Sequence, residues 1–136
     1  MGKHNIEKSD SNWEAQLTPE QYRVCRRKGT EPPFSGTLHS CKKDGIYCCA
    51  CCDSQLFSSV EKFDSGSGWP SFWQSISSNC VRYESDTSHG MHRIEVLCNH
   101  CNAHLGHVFD DGPLPTGKRY CINSVSLQFK KSAIKI

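Results

Sequence analysis

Long apolar runs are missing from this sequence of 136 residues. Nothing in it approaches the roughly 18 consecutive apolar residues of a membrane-spanning helix. The opening stretch MGKHNIEKSDSNWE has no apolar core of an export signal, and Gly2 lacks the downstream Ser or Thr of a myristoylation signal. An excess of either charge is missing as well: 16 basic and 14 acidic residues leave a net charge of +2. That balance offers no footprint for a polyanion, so nucleic acid is not an expected partner. Internal repeats are absent apart from two short cysteine turns, and helix-period patterning is sparse beyond the first third. These absences predict a cytoplasmic, non-membrane protein, monomeric by default, with one modest core.

What the chain has in abundance is cysteine, ten residues in all. An exported chain of this kind would read as a disulfide scaffold. Without an export signal, the expectation is a reducing compartment, with some cysteines on metal and the others free, inert or catalytic. Two C-x-x-C turns stand far apart, Cys49/Cys52 in YCCACCDSQLF and Cys98/Cys101 in VLCNHCNAHLGHVF. Each holds two thiolates close enough to share an ion. Together they supply the four sulfurs of a closed structural Zn2+ site, one ion per chain, with no open position for substrate. Iron suits the same tetrahedral cage. The run Cys48-Cys49-Ala50-Cys51-Cys52 also contains the overlapping pair 48/51, and spacing does not choose between the pairs.

Residues 1–12 are polar and aperiodic, which predicts a flexible tail. Residues 13–130 are expected to form one domain and 131–136 a short C-terminal tail. Thr18, Pro19 and Gln21 announce a helix through a capping box, with Leu17 and Tyr22 placed for a hydrophobic staple and Gly29 for the end. A turn-rich segment, TEPPFSGTLHSCKKDG, leads into the first cysteine turn. Leu56–Phe63 reads as a short strand. FDSGSGWPSFWQ follows, with a short helix expected near Ser71. Period-two patterning then marks strands in HRIEVLC, AHLGHVF and YCINSVSLQF. The last is read as one strand with Cys121, Asn123, Val125, Leu127 and Phe129 on its inner side. The class is mainly β, with helix confined to the N-terminal side.

Cys121 stands outside the paired turns and follows Lys118 and Arg119. Cations beside a cysteine favour the thiolate, which is the nucleophile. A buried structural cysteine is the plain alternative. His107 can supply a proton to a developing oxygen, or can be a satisfied core histidine. His104 points the other way on its strand and is expected to support the metal turn. Asn123 can donate an amide hydrogen bond into a site. Trp69, Phe72 and Trp73 form a core cluster or an apolar wall, Trp69 being the wall candidate because aromatic faces favour sulfur and methyl groups.

Taken together, GTEPPFSG, GIYCCACC, KFDSGSGWPSF, CNHCNAHLGHVFDDGP and PTGKRYCINSVSLQF resemble the B-type methionine sulfoxide reductases, which act on the R epimer at sulfur. The resemblance runs from Leu17 to Phe129. It implies two antiparallel sheets in a tent-like arrangement, N-terminal helices, and a structural zinc on Cys49, Cys52, Cys98 and Cys101. It further implies Cys121 as nucleophile, His107 and Asn123 as catalytic partners, and Trp69, Phe109 and Arg119 as substrate-binding residues. The implied substrate is oxidised methionine, free or in proteins, and the implied reductant is thioredoxin or a similar thiol. Many members carry a resolving cysteine where this chain has Ser67. Cys41, in the turn-rich segment, is the candidate resolver here; otherwise an external thiol acts directly. A non-catalytic, zinc-stabilised β domain that holds a peptide or protein partner is the competing reading.

Overall fold

Thr18 separates two short N-terminal helices, α1 (Asp10–Gln16) and α2 (Pro19–Cys25). Its hydroxyl accepts from the Gln21 backbone N–H at 3.1 Å, and the Gln21 side chain accepts from the Thr18 N–H at 2.9 Å. These reciprocal bonds satisfy donors that a helix start otherwise leaves exposed. The computed structural model describes residues 10–131, so residues 1–9 of the expected tail and 132–136 lie outside the described residues. α1 begins inside the stretch read as a tail. Its anchor is Trp13, 1% exposed, a single aromatic that a polar context concealed. α2 ends earlier than Gly29, with Arg26 as its cap, and Lys28 takes up the left-handed backbone at φ 59°.

Two antiparallel sheets follow. The smaller consists of β1 (Gly45–Cys49), β2 (Gln55–Ser58) and β9 (Leu127–Lys131), in the order β2-β1-β9. The larger has six strands: β3 (Lys62–Phe63), β4 (Ser71–Phe72), β5 (Val81–Asp86), β6 (Arg93–Cys98), β7 (His104–Phe109) and β8 (Arg119–Ile122). Its order is β3-β4-β8-β7-β6-β5. Aromatics from both sheets meet in the core. Phe57 of β2 stacks on Phe72 of β4 with centroids 4.5 Å apart, and Tyr47 of β1 meets Phe72 edge-on at 5.1 Å. Such pairs contribute about 0.5–1.5 kcal/mol each beyond the area they bury.

Three sequence expectations are corrected. Leu56–Phe63 is not one strand: β2 ends at Ser58, a 3-10 turn spans Ser59–Glu61, and β3 joins the other sheet. Ser71 does not open a helix, because Ser71 and Phe72 pair with Cys121 and Tyr120 of β8 on one side and with β3 on the other. Tertiary pairing overrides the local capping pattern there. YCINSVSLQF is likewise broken by a 3-10 turn at Ser124–Ser126, and its halves lie in different sheets. The predicted inner face fails already in β8, before the break. Ser124 and Ser126 are buried, while Tyr120 and Ile122 take the core side of β8 and Cys121 faces away from it.

Candidate active site and metal centre

Cys49 ends β1 and Cys98 ends β6, and each opens a turn of the same design. Asp53 N donates to Cys49 O and Asn102 N donates to Cys98 O, both at 2.8 Å. The residue after the second cysteine is left-handed in both turns, Asp53 at φ 70° and Asn102 at φ 65°. Asp and Asn tolerate that backbone better than most residues. The sulfurs of Cys49, Cys52, Cys98 and Cys101 all lie within 4.8 Å of one another. Cys49 to Cys101 and Cys52 to Cys98 are each 3.6 Å. Four sulfurs about 2.3 Å from a tetrahedral Zn2+ would stand roughly 3.8 Å apart, so the cluster fits a structural zinc. The 49/52 pair supplies the sulfurs, and Cys48 and Cys51 do not.

The N-terminal helices brace this centre, a role the sequence reading did not foresee. Arg26 donates to the Cys101 carbonyl at 3.1 Å and lies over the Trp13 ring at 4.2 Å. Gln16 donates to the Cys51 carbonyl at 2.8 Å. His104, expected beside the metal turn, is instead bonded through Nδ1 to the buried carboxylate of Glu95 at 2.7 Å. The other Glu95 oxygen accepts from Lys28 at 3.1 Å. Burial alone would raise the Glu95 carboxyl, but the bonds from His104 and Lys28 outweigh it and hold the group below its ordinary value.

Away from the metal, a cavity of about 270 Å³ collects six residues singled out from the sequence: Trp69, His107, Phe109, Arg119, Cys121 and Asn123. β7 and β8 set the central pair, since His107 lies directly opposite Cys121 in their register. Gly106 precedes His107 because no side chain fits there: a Cβ would sit 2.0 Å from the Cys121 carbonyl oxygen. Arg119 donates to the Cys121 sulfur at 2.9 Å. Asp111 grips the same guanidinium at 2.8 and 3.1 Å and is the main cause raising its pKa above the ordinary arginine value. Phe109 supports it from below, with the guanidinium carbon 4.4 Å from the ring centre.

Serine hydroxyls fill the other side of the sulfur. Ser67 Oγ is 3.4 Å and Ser71 Oγ 3.8 Å from Cys121 Sγ, and Ser65 bonds both serines, at 2.8 and 2.6 Å. The Trp69 indole donates to the Glu31 carbonyl at 2.9 Å. Asn123 holds that same residue, its Oδ1 accepting from Glu31 N at 3.0 Å while its Nδ2 donates to Leu105 O at 3.0 Å. The amide of Asn123 thus braces the indole's support. Burial lowers His107, and the bond from its Nε2 to Asp86 at 2.8 Å opposes that shift.

Cys41 is not part of this cavity. It lines a separate one of about 470 Å³, with His39, Lys62 and Phe63. The sequence reading missed Asp86, Ser71 and Asp111. Their only signals were a carboxylate at a strand end, a serine after the GWP segment and an acidic pair before a turn, each too common to stand out.

The SelR domain model matches residues 17–131 of this chain. A peptide methionine sulfoxide reductase MsrB from Methanosarcina barkeri is 62% identical over 130 residues, covering 96% of this chain and 92% of that protein. Its counterpart from Methanosarcina mazei is 61% identical over 131 residues, with 96% and 94% covered. That from Acinetobacter baylyi is 55% identical over 130 residues, with 96% and 92% covered. Among solved structures, the Mis18 Yippee-like domain superposes with a TM-score of 0.54 at 20% identity, covering 68% of this chain and all of that one. That likeness speaks to the fold alone.

Proposed function

The chain belongs to the SelR-domain family of B-type peptide-methionine (R)-S-oxide reductases, and from that membership we propose how its own residues divide the work. The enzyme reduces methionine R-sulfoxide to methionine by a thiol-dependent route that passes through a cysteine sulfenic acid. Cys121 is the nucleophile. The observation that carries this assignment is its sulfur, 2.9 Å from the Arg119 guanidinium, opposite His107 in a cavity walled by Trp69.

The sulfur of Cys121 attacks the sulfoxide sulfur as its thiolate, while His107 delivers a proton to the oxygen on which charge develops. Oxygen and proton pass to Cys121 as the substrate's S–O bond breaks. Methionine leaves with two more electrons on its sulfur, and Cys121 is left oxidised as the sulfenic acid. Trp69 packs on the methyl group. Phe109 and Arg119 complete the substrate wall, and Asn123 keeps the indole's support in place. A reducing thiol then condenses with the sulfenic acid, releasing water and forming a disulfide, and a second thiol frees Cys121 by exchange. When bound by its four cysteines, Zn2+ supplies a cross-link between the two sheets and no reaction step.

Ser67, at 3.4 Å from the sulfur, cannot form a disulfide. Recycling therefore falls to Cys41, after movement of its turn-rich segment, or directly to an external thiol. Thioredoxin or a similar dithiol is the proposed reductant, a cytoplasmic monomer the proposed form, and residues 13–130 the catalytic domain. Among the described residues no helix is long and apolar enough to cross a membrane.

The test is separate assay of the two sulfoxide epimers with wild type and Cys121→Ser, followed by intact mass after one turnover without reductant. Only the R epimer should be consumed, with one oxygen gained on the wild-type enzyme. Cys121→Ser should lose all activity and keep its zinc. Reduction by that variant would remove the mechanism.

A further inference from the structure

A carboxylate that none of the motifs carrying the family resemblance contains holds the imidazole in the cavity. Asp86 is the last residue of β5, and its Oδ2 accepts from His107 Nε2 at 2.8 Å. Arg93, opposite Asp86 in the β5–β6 register, donates to the same oxygen at 3.3 Å. Oδ1 is occupied on its own side, accepting from the Ser88 backbone N–H at 2.9 Å and from the Ser88 hydroxyl at 2.6 Å. Those bonds, the Ser88 hydroxyl first and His107 next, hold the Asp86 carboxyl well below the ordinary carboxylate range. An ionised carboxylate only accepts hydrogen bonds, so His107 Nε2 carries a proton and Nδ1 is the ring nitrogen left to act.

On the reading of His107 as the proton donor, we infer that Asp86 is the positioning residue for that acid, fixing its tautomer and the orientation of its ring toward Cys121. Its negative charge also favours the imidazolium, which must be present when the sulfoxide oxygen takes up charge. The remaining groups around the ring set a balance that Asp86 tips. Arg93 of β6 and His104 of β7, whose ring centre is 5.6 Å away, disfavour a second positive charge. Behind them, Glu95 is bonded to His104 and Lys28. From β8, Arg119 and Cys121 face the shared cavity. Asp86 and Ser88 line a second, polar cavity of about 550 Å³, which has Thr30, Arg93 and His107 in common with the first. The imidazole is part of both walls, held by its carboxylate on the side away from the sulfur.

The experiment is single-turnover reduction of an R-sulfoxide peptide by the zinc-loaded full chain, from about pH 5 to 9. In wild type the rate should fall on the alkaline side as the imidazolium loses its proton. Asp86→Asn keeps the shape and removes the charge. The rate should drop about ten- to a hundredfold, within what a general acid contributes, and the alkaline fall should move to lower pH. Asp86→Glu should recover part of both. Ser88→Ala removes the Oδ1 contacts from the hydroxyl while leaving the imidazole bonded, and should match wild type in the position of the alkaline fall.

An Asp86→Asn profile that coincides with wild type in rate and position would overturn the inference. So would a Ser88→Ala profile displaced as far as that of Asp86→Asn, since Asp86 would then serve only to hold the 86–88 turn. Should Asp86→Asn fail to fold, nitrogen NMR of the wild-type imidazole decides instead: a proton resident on Nε2 of neutral His107 is expected, and one resident on Nδ1 refutes the proposal. Failure of the underlying reading looks different. A His107→Asn variant with the wild-type alkaline fall would discharge His107 itself, whatever Asp86 does.

Discussion

At the metal end, two turns supply all four sulfurs, each turn closed by the same backbone bond and the same left-handed residue. At the cavity end, the working side chains come from many places: Trp69 from the segment before β4, Asp86 from β5, Arg93 from β6, His107 from β7, and Arg119 and Cys121 from β8. The metal centre is two local motifs brought together once. The cavity exists only if five strand neighbours hold their register. A local motif survives small shifts of the sheets around it, whereas a site spread over several strands is spoiled by a displacement smaller than a side chain. That difference teaches that the metal centre should control whether the chain folds, and the register of β7 and β8 whether the folded chain works.

The sharpest break of this contrast is at a zinc ligand. Cys98→Ser should abolish tight zinc binding and, with it, a contribution on the order of 10 kcal/mol, so that cooperative thermal unfolding and activity vanish together. Loss of the zinc with a near-normal melting temperature would show that the clasp is not needed for folding, and retention of one zinc per chain would discharge Cys98 as a ligand.

A smaller stability effect with a large functional one is expected at Gly106→Ala. The added methyl meets the Cys121 carbonyl oxygen at 2.0 Å, so β7 and β8 must part. The cost should be about 1–3 kcal/mol, typical of overpacking, with zinc retained and single-turnover activity down about a hundredfold. Wild-type activity in this variant would mean that the register of His107 against Cys121 does not matter.

The smallest effect concerns a residue that belongs to neither region. Cys41→Ser should slow thioredoxin-driven turnover about two- to fivefold and leave turnover with a small dithiol unchanged. Wild-type rates with both reductants would rule Cys41 out and leave the external thiol as the proposed route.

How much of this was legible in the chain follows the same division. The cysteine turns could be read because a C-x-x-C spacing is itself the geometry of two ligands. Spacing left the overlap of 48/51 with 49/52 open; the family resemblance implied 49/52, and the sulfur positions agree with it. The cavity residues could be named through the family resemblance, but their contacts could not. Nothing near Asp86 in the sequence marks it as the partner of His107, since hairpin pairing of β5 with β6 and the neighbouring β7 brings them together. His104 read as a support of the metal turn because it lies three residues beyond Cys101, yet the irregular register between β6 and β7 at Val96/Leu97 goes with its bond to Glu95. Trp13 was invisible, because a helix of seven residues carries too little pattern to stand out from a polar stretch.

By itself the sequence determined the two cysteine turns, the capped start of α2 and the mainly β class, all of which depend on residues close together along the chain. Tertiary structure alone decided where the last strand changes sheets, why Asn123 braces an indole, and which carboxylate orders the imidazole. Those depend on backbone pairing between segments far apart in sequence, and a one-residue slip in such pairing turns every side chain to the opposite face.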